Sequence, residues 1–243
     1  MRRHAWILLL ALLLLAWEAW VQLRGIPDYL LPAPSAVAQA LWDNRSDLAS
    51  QALVTLREMV LGLLAAVALG LGSAIVLQRL DWLRSAVYPL LIASQSVPVI
   101  SFSPLLLVYL GFGLVPHVVI VALVCFFPVT ANALDGFART PADLRRMMRT
   151  LNASPRAIFW RVELPWALPR IFTGVRVATA YAAVGAVFSE YAGGSGGLAD
   201  SMRDQLNTPL VGAAITLLAV MSLALTGLII VIERLAVPWA NEE

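Results

Sequence analysis

Six apolar runs, each about 20 residues long, set the strongest limit on how this chain can fold. A helical run of that length matches the hydrocarbon core of a bilayer, which is about 30 Å thick. The chain is 60% hydrophobic and 13% charged, with a mean hydropathy of +0.80, values that soluble domains rarely reach. We therefore predict an all-α, polytopic membrane protein with about six transmembrane helices. The predicted spans are residues 5–23, 53–77, 86–110, 114–134, 171–190 and 211–232.

The arginines between the spans predict one alternating path through the membrane. Arg2 and Arg3 precede the first span, and the positive-inside rule places such residues in the cytoplasm. The same path puts the arginines of 78–84 and of the polar segment 135–170 in the cytoplasm, and the mixed-charge segment 24–51 outside. An even number of spans returns the carboxyl terminus to the side of the amino terminus. Both termini are therefore predicted to be cytoplasmic.

The first apolar run has two possible fates. Basic residues followed by leucines are also typical of a cleaved signal peptide. Trp17 and Trp20 instead resemble interfacial anchors, and no clear small-residue cleavage site precedes a mature start. We therefore expect residues 5–23 to be a retained membrane anchor.

Composition argues against several functional classes. All 17 of the Lys and Arg residues are arginine, so a phosphate-binding loop of the G-x-x-x-x-G-K-[ST] type is excluded, and ATP hydrolysis would need another subunit. With Cys125 as the single cysteine, no internal disulfide or thiolate metal cluster can form. Two histidines, with no histidine–carboxylate cluster or paired catalytic carboxylates, do not indicate an enzyme or a metal site. The arginines are better explained by topology than by nucleic-acid binding.

Polar residues inside the spans suggest a translocation path. The third span contains prolines that would kink a helix and polar side chains that would be costly in lipid, so these residues are expected to line protein or a water-filled path. The alternative is a purely structural kink. In the fifth span, Glu190 is either a gate or substrate contact, or an interfacial carboxylate satisfied by the backbone or an arginine. The candidate path residues are Ser94, Gln95, Ser96, Pro98, Ser101 and Glu190.

Three more polar residues are expected at the edges of the spans. Arg57 and Glu58 lie near the predicted outer end of the second span, where they can reach interfacial water or partners. His117 stands beside a proline at a span entrance, so an interfacial position is expected rather than a catalytic one.

Small residues recur every four positions in two spans. Gly174, Ala178, Ala182 and Ala186 align along one face of the fifth span, and Gly62, Ala66 and Gly70 along the second. Such faces let another backbone approach closely. They indicate either ordinary packing within the bundle or a specific subunit interface.

The segment 135–170, which we name the coupling loop, is the longest polar stretch between apolar runs and carries seven arginines. Thr140 followed by Pro141 predicts a helix start capped by threonine. Asn152 tolerates the left-handed conformation that ends a helix, and Ser154 before a proline predicts a second start. Pro165 and a further proline at 169 are expected to break the chain before the fifth span. The sequence thus predicts a helix-turn-helix outside the bilayer, whose arginines could bind lipid headgroups or an acidic partner.

The stretch RMMRTLNASPRAIFWRVELPWALP resembles the coupling loop of permeases in ATP-binding-cassette importers. The usual pattern of that loop is E-A-A, three residues, G, nine residues, I, one residue, L-P. The spacing is intact here. The glutamate, both alanines and the glycine of that pattern are replaced in this chain, although Asn152 can still form the turn that the glycine forms. The corresponding residues are Arg146, Met147, Met148, Asn152, Val162, Leu164 and Pro165.

The resemblance extends beyond the loop, from about residue 30 to residue 235. The segments LPAPSAVAQAL, SQSVPVISFSPLLLVYLGFG, VCFFPVTANALDGF and GAVFSEYAGGSGGLADSM resemble the nitrate/sulfonate/taurine-type branch of these permeases, and especially permeases for hydroxymethylpyrimidine, a thiamine precursor. The resemblance implies a type I importer fold in one permease domain, 1–243, with a core at 53–235. It also implies a prokaryotic inner-membrane location.

The resemblance further implies partners and contact residues. Two permeases would pair as a homodimer in the lipid bilayer, each above a cytoplasmic ATPase subunit that holds the ATP and Mg, while an extracytoplasmic binding protein delivers the solute. This chain itself would bind no cofactor. Leu164 and Pro165 would brace the second loop helix. The ATPase-coupling residues would be Leu144, Arg145, Arg146, Met147, Met148, Arg149, Leu151, Asn152, Ala153, Ser154, Leu164 and Pro165.

Other functions are weighed against this one. The same type of complex could import a sulfonate, nitrate or another small anion, although anions favour positive charge along the path and the spans have almost no interior arginine. An ion-coupled secondary transporter would need inverted repeats and ionisable residues at midplane, and neither is evident. A membrane-embedded enzyme lacks site chemistry.

Overall fold

The computed structural model describes residues 5–96, 98–193, 196–204 and 206–241, and every regular element in this part of the chain is helical. The all-α prediction is confirmed. Arg2 and Arg3, on which the predicted orientation rests, lie outside the described residues. The α-helices are α1 (Ala5–Arg24), α2 (Pro34–Asp43), α3 (Arg45–Arg79), α4 (Asp81–Ser94), α5 (Ser103–Leu110), α6 (Leu114–Ala138), α7 (Ala142–Thr150), α8 (Pro155–Ile158), α9 (Leu164–Gly193), α10 (Leu198–Met202) and α11 (Thr208–Ala236).

Within the described part of the chain, five continuous helices are long and apolar enough to cross a membrane. They are α1, α3, α6, α11 and the unbroken helix Pro155–Gly193, in which α8 runs into α9. Each contains one of the predicted spans. The helix α3 begins eight residues before the predicted start, at Arg45 rather than residue 53.

The third predicted span, 86–110, is not one kinked helix. Its residues form α4, a 3₁₀ turn at Val99–Phe102 and α5. The helix α4 ends at Ser94, and Pro98 has no N–H that could donate to the Ser94 carbonyl and continue an α-helix. The Pro98 carbonyl accepts from Ser101 N at 2.8 Å in the 3₁₀ turn. The third predicted span is therefore divided into two short helices rather than bent.

The helix α6 lies between α3 and α9, and the small-residue faces explain how it fits there. An added Cβ on Gly62 would overlap Val121, and one on Gly174 would lie 2.7 Å from the Pro128 carbonyl oxygen. Cys125 Sγ donates to the Ala178 carbonyl at 3.2 Å. Both faces are thus used within this chain, which confirms the interpretation as bundle packing.

The prolines of the coupling loop do not interrupt the helix, contrary to prediction. Phe159–Glu163 forms a π-helical turn that joins α8 to α9, and Pro165 and Pro169 both lie inside α9. A widened π turn tolerates a locally altered hydrogen-bond ladder. Pro165 occupies the first α-helical turn after it, where a missing N–H costs little. The loop therefore continues directly into the fifth span.

Candidate functional site

The first loop helix, α7, begins without the predicted cap. The residue before it is Pro141, and no side chain caps the first turn. The Thr140 hydroxyl is buried and has no hydrogen-bond partner among the described residues, so the threonine cap was a wrong prediction. Asp143 does lie in the first turn, where its charge favours the positive end of the helix dipole.

The turn after α7 has the predicted geometry. Asn152 has φ of 55°, the one non-glycine residue with positive φ in the described chain. The Asn152 N–H donates to the Arg149 carbonyl and the Ala153 N–H to the Met148 carbonyl, both at 3.0 Å. These two bonds form a Schellman motif, which closes a helix end at a left-handed residue. Ser154 Oγ then accepts from Ala157 N at 3.3 Å and caps α8.

The helix α7 has one packed side and one open side. Leu144, Met148 and Ala153 are half-buried against the loop. On the open side, the side chains of Met147 and Leu151 are 52% and 69% exposed. Arg146, Arg149, Asn152 and Ser154 are also exposed. An exposed apolar pair on a helix that also carries exposed guanidinium groups suits the groove of a protein partner.

Arg145 faces the helix bundle rather than a partner. Its Nη2 donates to the Phe137 carbonyl at 3.2 Å and to the Thr140 carbonyl at 3.0 Å. Its Nε lies 3.7 Å from Glu163 Oε1, and Gln78 Nε2 donates to Glu163 Oε2 at 2.8 Å. One carboxylate therefore ties α7 to the end of α3 and the start of the fifth span.

Sequence reasoning missed Glu163 and Gln78 because the loop pattern specifies nothing at either position.

Leu164 packs against the apolar cluster that contains Phe137 and Phe159, while Pro165 is half-buried beside it. The bracing role that the resemblance implies for these two residues stays a prediction.

The candidate path residues lie in two separate places. Five of them are exposed at the end of α4 and just after it: Ser94, Gln95, Ser96, Pro98 and Ser101. Ser94 and Gln95 line a cavity of about 440 Å³ whose other walls are apolar, including the rings of Phe102, Phe126 and Phe127. Glu190 is fully buried elsewhere, so the structure does not bring it together with the serines.

Glu190 accepts two hydrogen bonds near the end of α9. Its Oε1 accepts from Thr55 Oγ1 at 2.6 Å and its Oε2 from the Ala199 backbone N–H at 2.9 Å. Thr55 Oγ1 also accepts from the Leu198 backbone N–H at 3.0 Å. Gly197 leaves the space that the carboxylate fills, since a Cβ there would overlap it. One threonine hydroxyl and one backbone N–H thus satisfy this carboxylate, which is buried inside the protein.

Glu58 joins this group from α3. It lies three residues after Thr55, on the same helix face, and its carboxyl group interacts with that of Glu190. Its side chain is 1% exposed, and Oε2 has no hydrogen-bond partner among the described residues. The expectation that Glu58 reaches water was wrong. We name Thr55, Glu58, Glu190 and residues 197–199 the carboxyl cluster.

His117 extends the buried polar region into α6. Its Nδ1 lies 2.9 Å from Ser189 Oγ, and Nε2 has no partner in the described chain. The side chain is buried among protein atoms, and its predicted position at the membrane interface stays a prediction. Arg57, in contrast, is exposed as predicted.

The carboxyl cluster and the coupling loop stand at opposite ends of the bundle. Along α3, Glu58 precedes Gln78 by 20 residues, which corresponds to about 30 Å of helix. This is about the thickness of the hydrocarbon core. The two polar sites thus flank an apolar band that a bilayer would cover.

Comparison with known proteins agrees with this layout. Residues 59–237 match the family described as "binding-protein-dependent transport system inner membrane component". A probable ABC transporter permease protein of Haemophilus influenzae is 36% identical, covering 90% of this chain and 91% of that protein. The riboflavin transport system permease protein of Chloroflexus aurantiacus is 35% identical over 95% and 88% of the two chains. The formylaminopyrimidine transport permease protein of Halalkalibacterium halodurans is 31% identical over 96% and 94%.

Proposed function

The chain belongs to the family of binding-protein-dependent transport system inner membrane components, and on that premise we propose that it forms the solute path of an ATP-driven importer and meets its ATPase through the coupling loop. Members of this family are multi-pass transport subunits of the inner membrane, which agrees with the five long apolar helices. ATP and Mg belong to the partner subunit in this proposal, and the termini of the permease lie in the cytoplasm.

The Schellman turn at Asn152 is the observation that carries the proposal. Met147 and Leu151, both exposed, lie side by side because they are four residues apart at the end of α7, and the turn forms a corner between this helix and the one that Ser154 starts, which becomes the fifth span. A partner that moves this corner therefore pulls on a membrane helix. ATP binding can shift the permease between two states only if the ATPase contacts the corner differently in each.

Arg145 and Glu163 support the same role from inside the loop. Their ion pair and the bond from Gln78 fix α7 to two membrane helices, so the corner cannot move alone. We propose that Arg146, Met147, Arg149 and Leu151 form the ATPase contact, and that Arg145 holds the loop in place. A homodimer with one ATPase under each half and a binding protein outside completes the complex.

A small nitrogen heterocycle is the proposed solute. The names of two relatives contain riboflavin and formylaminopyrimidine, both of which are planar nitrogen heterocycles. The cavity beside Ser94 and Gln95 combines two polar side chains with three phenylalanine rings, a lining that suits a flat ring with a few polar atoms. A sulfonate such as taurine, or a small anion such as nitrate, is the second candidate, and the transport assay below includes both.

The test is ATPase activity of the permease copurified with a candidate ATPase subunit in lipid nanodiscs, with and without loaded binding protein. We expect loaded binding protein to stimulate the ATPase activity. Asn152→Val should abolish this stimulation, because a β-branched residue disfavours positive φ. Thr216→Val, on the exposed face of α11, is the matched control that keeps stimulation. Copurification without stimulation by any binding protein, or full stimulation of Asn152→Val, would contradict the proposal. Uptake of labelled aminopyrimidine, taurine and nitrate into proteoliposomes then distinguishes the solutes.

A further inference from the structure

A polar cavity of about 510 Å³ lies beside the coupling loop, between α7, α8 and the end of α3. Its volume falls within the range of about 300–1,000 Å³ typical of small-molecule sites. Its lining includes four arginines and one acid, so positive charge is in excess. The charged lining residues are Arg79, Arg145, Arg149, Arg156 and Glu163.

The one acid of the lining is already occupied. Arg145 Nε lies 3.7 Å from Glu163 Oε1, and Gln78 Nε2 donates to Oε2 at 2.8 Å. Arg145 also donates to two backbone carbonyls, so its guanidinium group is turned into the loop. The positive charge that remains available to a ligand therefore comes from the other three arginines.

Arg79, Arg149 and Arg156 have no acidic partner. In the described part of the chain, no ion pair or side-chain hydrogen bond involves any of the three. All three residues are exposed, so a molecule in the cavity can reach their guanidinium groups. Three cations that border one space repel each other, and an anion between them would relieve that repulsion.

The lining favours a phosphate that carries an apolar part. A guanidinium group donates two parallel hydrogen bonds to the oxygens of one phosphate. Pro155, Ile158 and Phe159 add an apolar wall to the same cavity. Arg79 joins the two kinds of wall, because its Cζ lies 5.4 Å from the centroid of the Phe159 ring.

The cavity lies where the apolar helices end. Arg79 is the last residue of α3, one of the helices long and apolar enough to cross a membrane. Trp82 and Trp160 are 71% and 65% exposed nearby, and such rings are enriched at the depth of lipid headgroups. The Trp160 ring packs edge-on against Phe159, with 5.4 Å between the ring centroids. The cavity is therefore level with the headgroup layer of a bilayer.

A lipid fits this position better than an acidic side chain of the ATPase does. The apolar pair that we assign to the ATPase contact, Met147 and Leu151, does not line the cavity. Arg79 and Phe159 belong instead to the membrane helices. Basic pockets between such helices, at the cytoplasmic surface, are typical sites for anionic headgroups.

We infer that this cavity binds the phosphate of an anionic lipid headgroup, held by Arg79, Arg149 and Arg156. The lipid comes from the leaflet next to the coupling loop, and its bound headgroup connects the end of α3 to the two loop helices. This lipid site goes beyond the proposed function and does not depend on it.

The test is native mass spectrometry of the full-length chain in detergent, with equal amounts of phosphatidylglycerol and phosphatidylcholine added. We expect one phosphatidylglycerol per chain to be retained in preference to phosphatidylcholine. Arg79→Gln and Arg156→Gln together remove two charges, and the affinity for phosphatidylglycerol should fall by about tenfold or more. Arg161→Gln is the matched control, because Arg161 is an exposed arginine of the same loop that does not line the cavity.

A single substitution keeps the test valid if the double variant fails to fold. Arg156→Gln leaves the contact between Arg79 and Phe159 in place, and should weaken phosphatidylglycerol binding by about fivefold. Equal retention in the folded cavity variants and in Arg161→Gln would overturn the inference, as would equal retention of the two lipids.

Two further arms identify the source of the anion. Displacement of phosphatidylglycerol by an equal concentration of glycerol 3-phosphate would show a site for a free phosphate and overturn the lipid assignment. The chain is also measured with a bound ATPase subunit. Retention of phosphatidylglycerol in that complex supports the lipid site, whereas its loss on ATPase binding would assign the three arginines to the protein partner and overturn the inference.

Discussion

The two ends of the bundle use charged residues in opposite ways. At the carboxyl cluster, Glu58 and Glu190 are buried, and Glu190 accepts hydrogen bonds from a threonine hydroxyl and a backbone N–H of the same chain. At the coupling loop, Arg146 and Arg149 stand in solvent and only Arg145 turns inward. The comparison suggests that the first end is held by its own structure, whereas the second is built to meet a partner. Substitutions should therefore affect folding at the first end and coupling at the second.

The largest effect on stability is expected from Gly197→Val. A side chain there would overlap the Glu190 carboxylate in a closed site, and should lower the free energy of unfolding by about 3 kcal/mol or more. Thermal unfolding of the purified permease, followed by tryptophan fluorescence, measures the change. Gly227→Val is the matched control on α11, because nothing lies within 4 Å of a Cβ at that position. Equal melting temperatures for the two variants would contradict the internal packing of the cluster.

The next effect is expected from Thr55→Val, which keeps the shape of the side chain but removes its hydroxyl. The Glu190 carboxylate loses a donor and the Leu198 N–H loses an acceptor, so we expect a loss of about 2 kcal/mol. The same unfolding assay checks this value, with Thr216→Val as the exposed control. A loss as small as that of the control would show that water replaces the threonine hydroxyl.

A smaller loss of stability, but a larger loss of coupling, is expected from Glu163→Gln. The ion pair with Arg145 is partly exposed, so its removal should cost about 1 kcal/mol or less. Stimulation of the ATPase by loaded binding protein should nevertheless fall several-fold, because α7 is no longer fixed to the membrane helices. Asp47→Asn, in the first turn of α3, is the charge-matched control. A parallel loss of stability and stimulation would remove the contrast between the two ends.

The smallest effect is expected from Asn152→Gly. Glycine adopts positive φ without strain, so the free energy of unfolding should change by less than about 0.5 kcal/mol and ATPase stimulation should persist. ATPase stimulation by the loaded binding protein is measured for Asn152→Gly and Asn152→Val in parallel. The comparison separates the effect of the backbone conformation from that of the asparagine side chain. Loss of stimulation in the glycine variant would show that the asparagine side chain itself touches the partner.

Local chemistry made part of this molecule predictable. Asn152 and Ser154 act on backbone groups within four residues of themselves, and both behave as their side chains indicate. The five long helices follow from apolar length alone. The small residues of α3 and α9 likewise predict close packing, although they do not name α6 as the element that they contact.

The remaining features depend on tertiary structure. Glu190 and Thr55 are hydrogen-bonded although they lie 135 residues apart in sequence, and no local sequence pattern predicts that contact. Pro165 is a helix breaker in isolation, yet it follows a π turn that places it where no N–H is needed. The division of the third predicted span into two helices likewise results from several small energetic contributions around Pro98. Packing decided each of these outcomes, and packing is not a local property.

The unbroken helix from Pro155 to Gly193 has a geometric consequence. Its 39 residues make a rod of about 58 Å, with the coupling loop at one tip and Glu190 near the other. If this rod tilts by about 5° around its midpoint, each tip sweeps about 2.5 Å in opposite directions. A displacement of that size exceeds what a hydrogen bond tolerates. The hydrogen bonds from Thr55 and Ala199 to Glu190 would therefore break when the coupling-loop end of the helix is displaced. A movement at one end would thus change the structure at the other end, about one membrane thickness away.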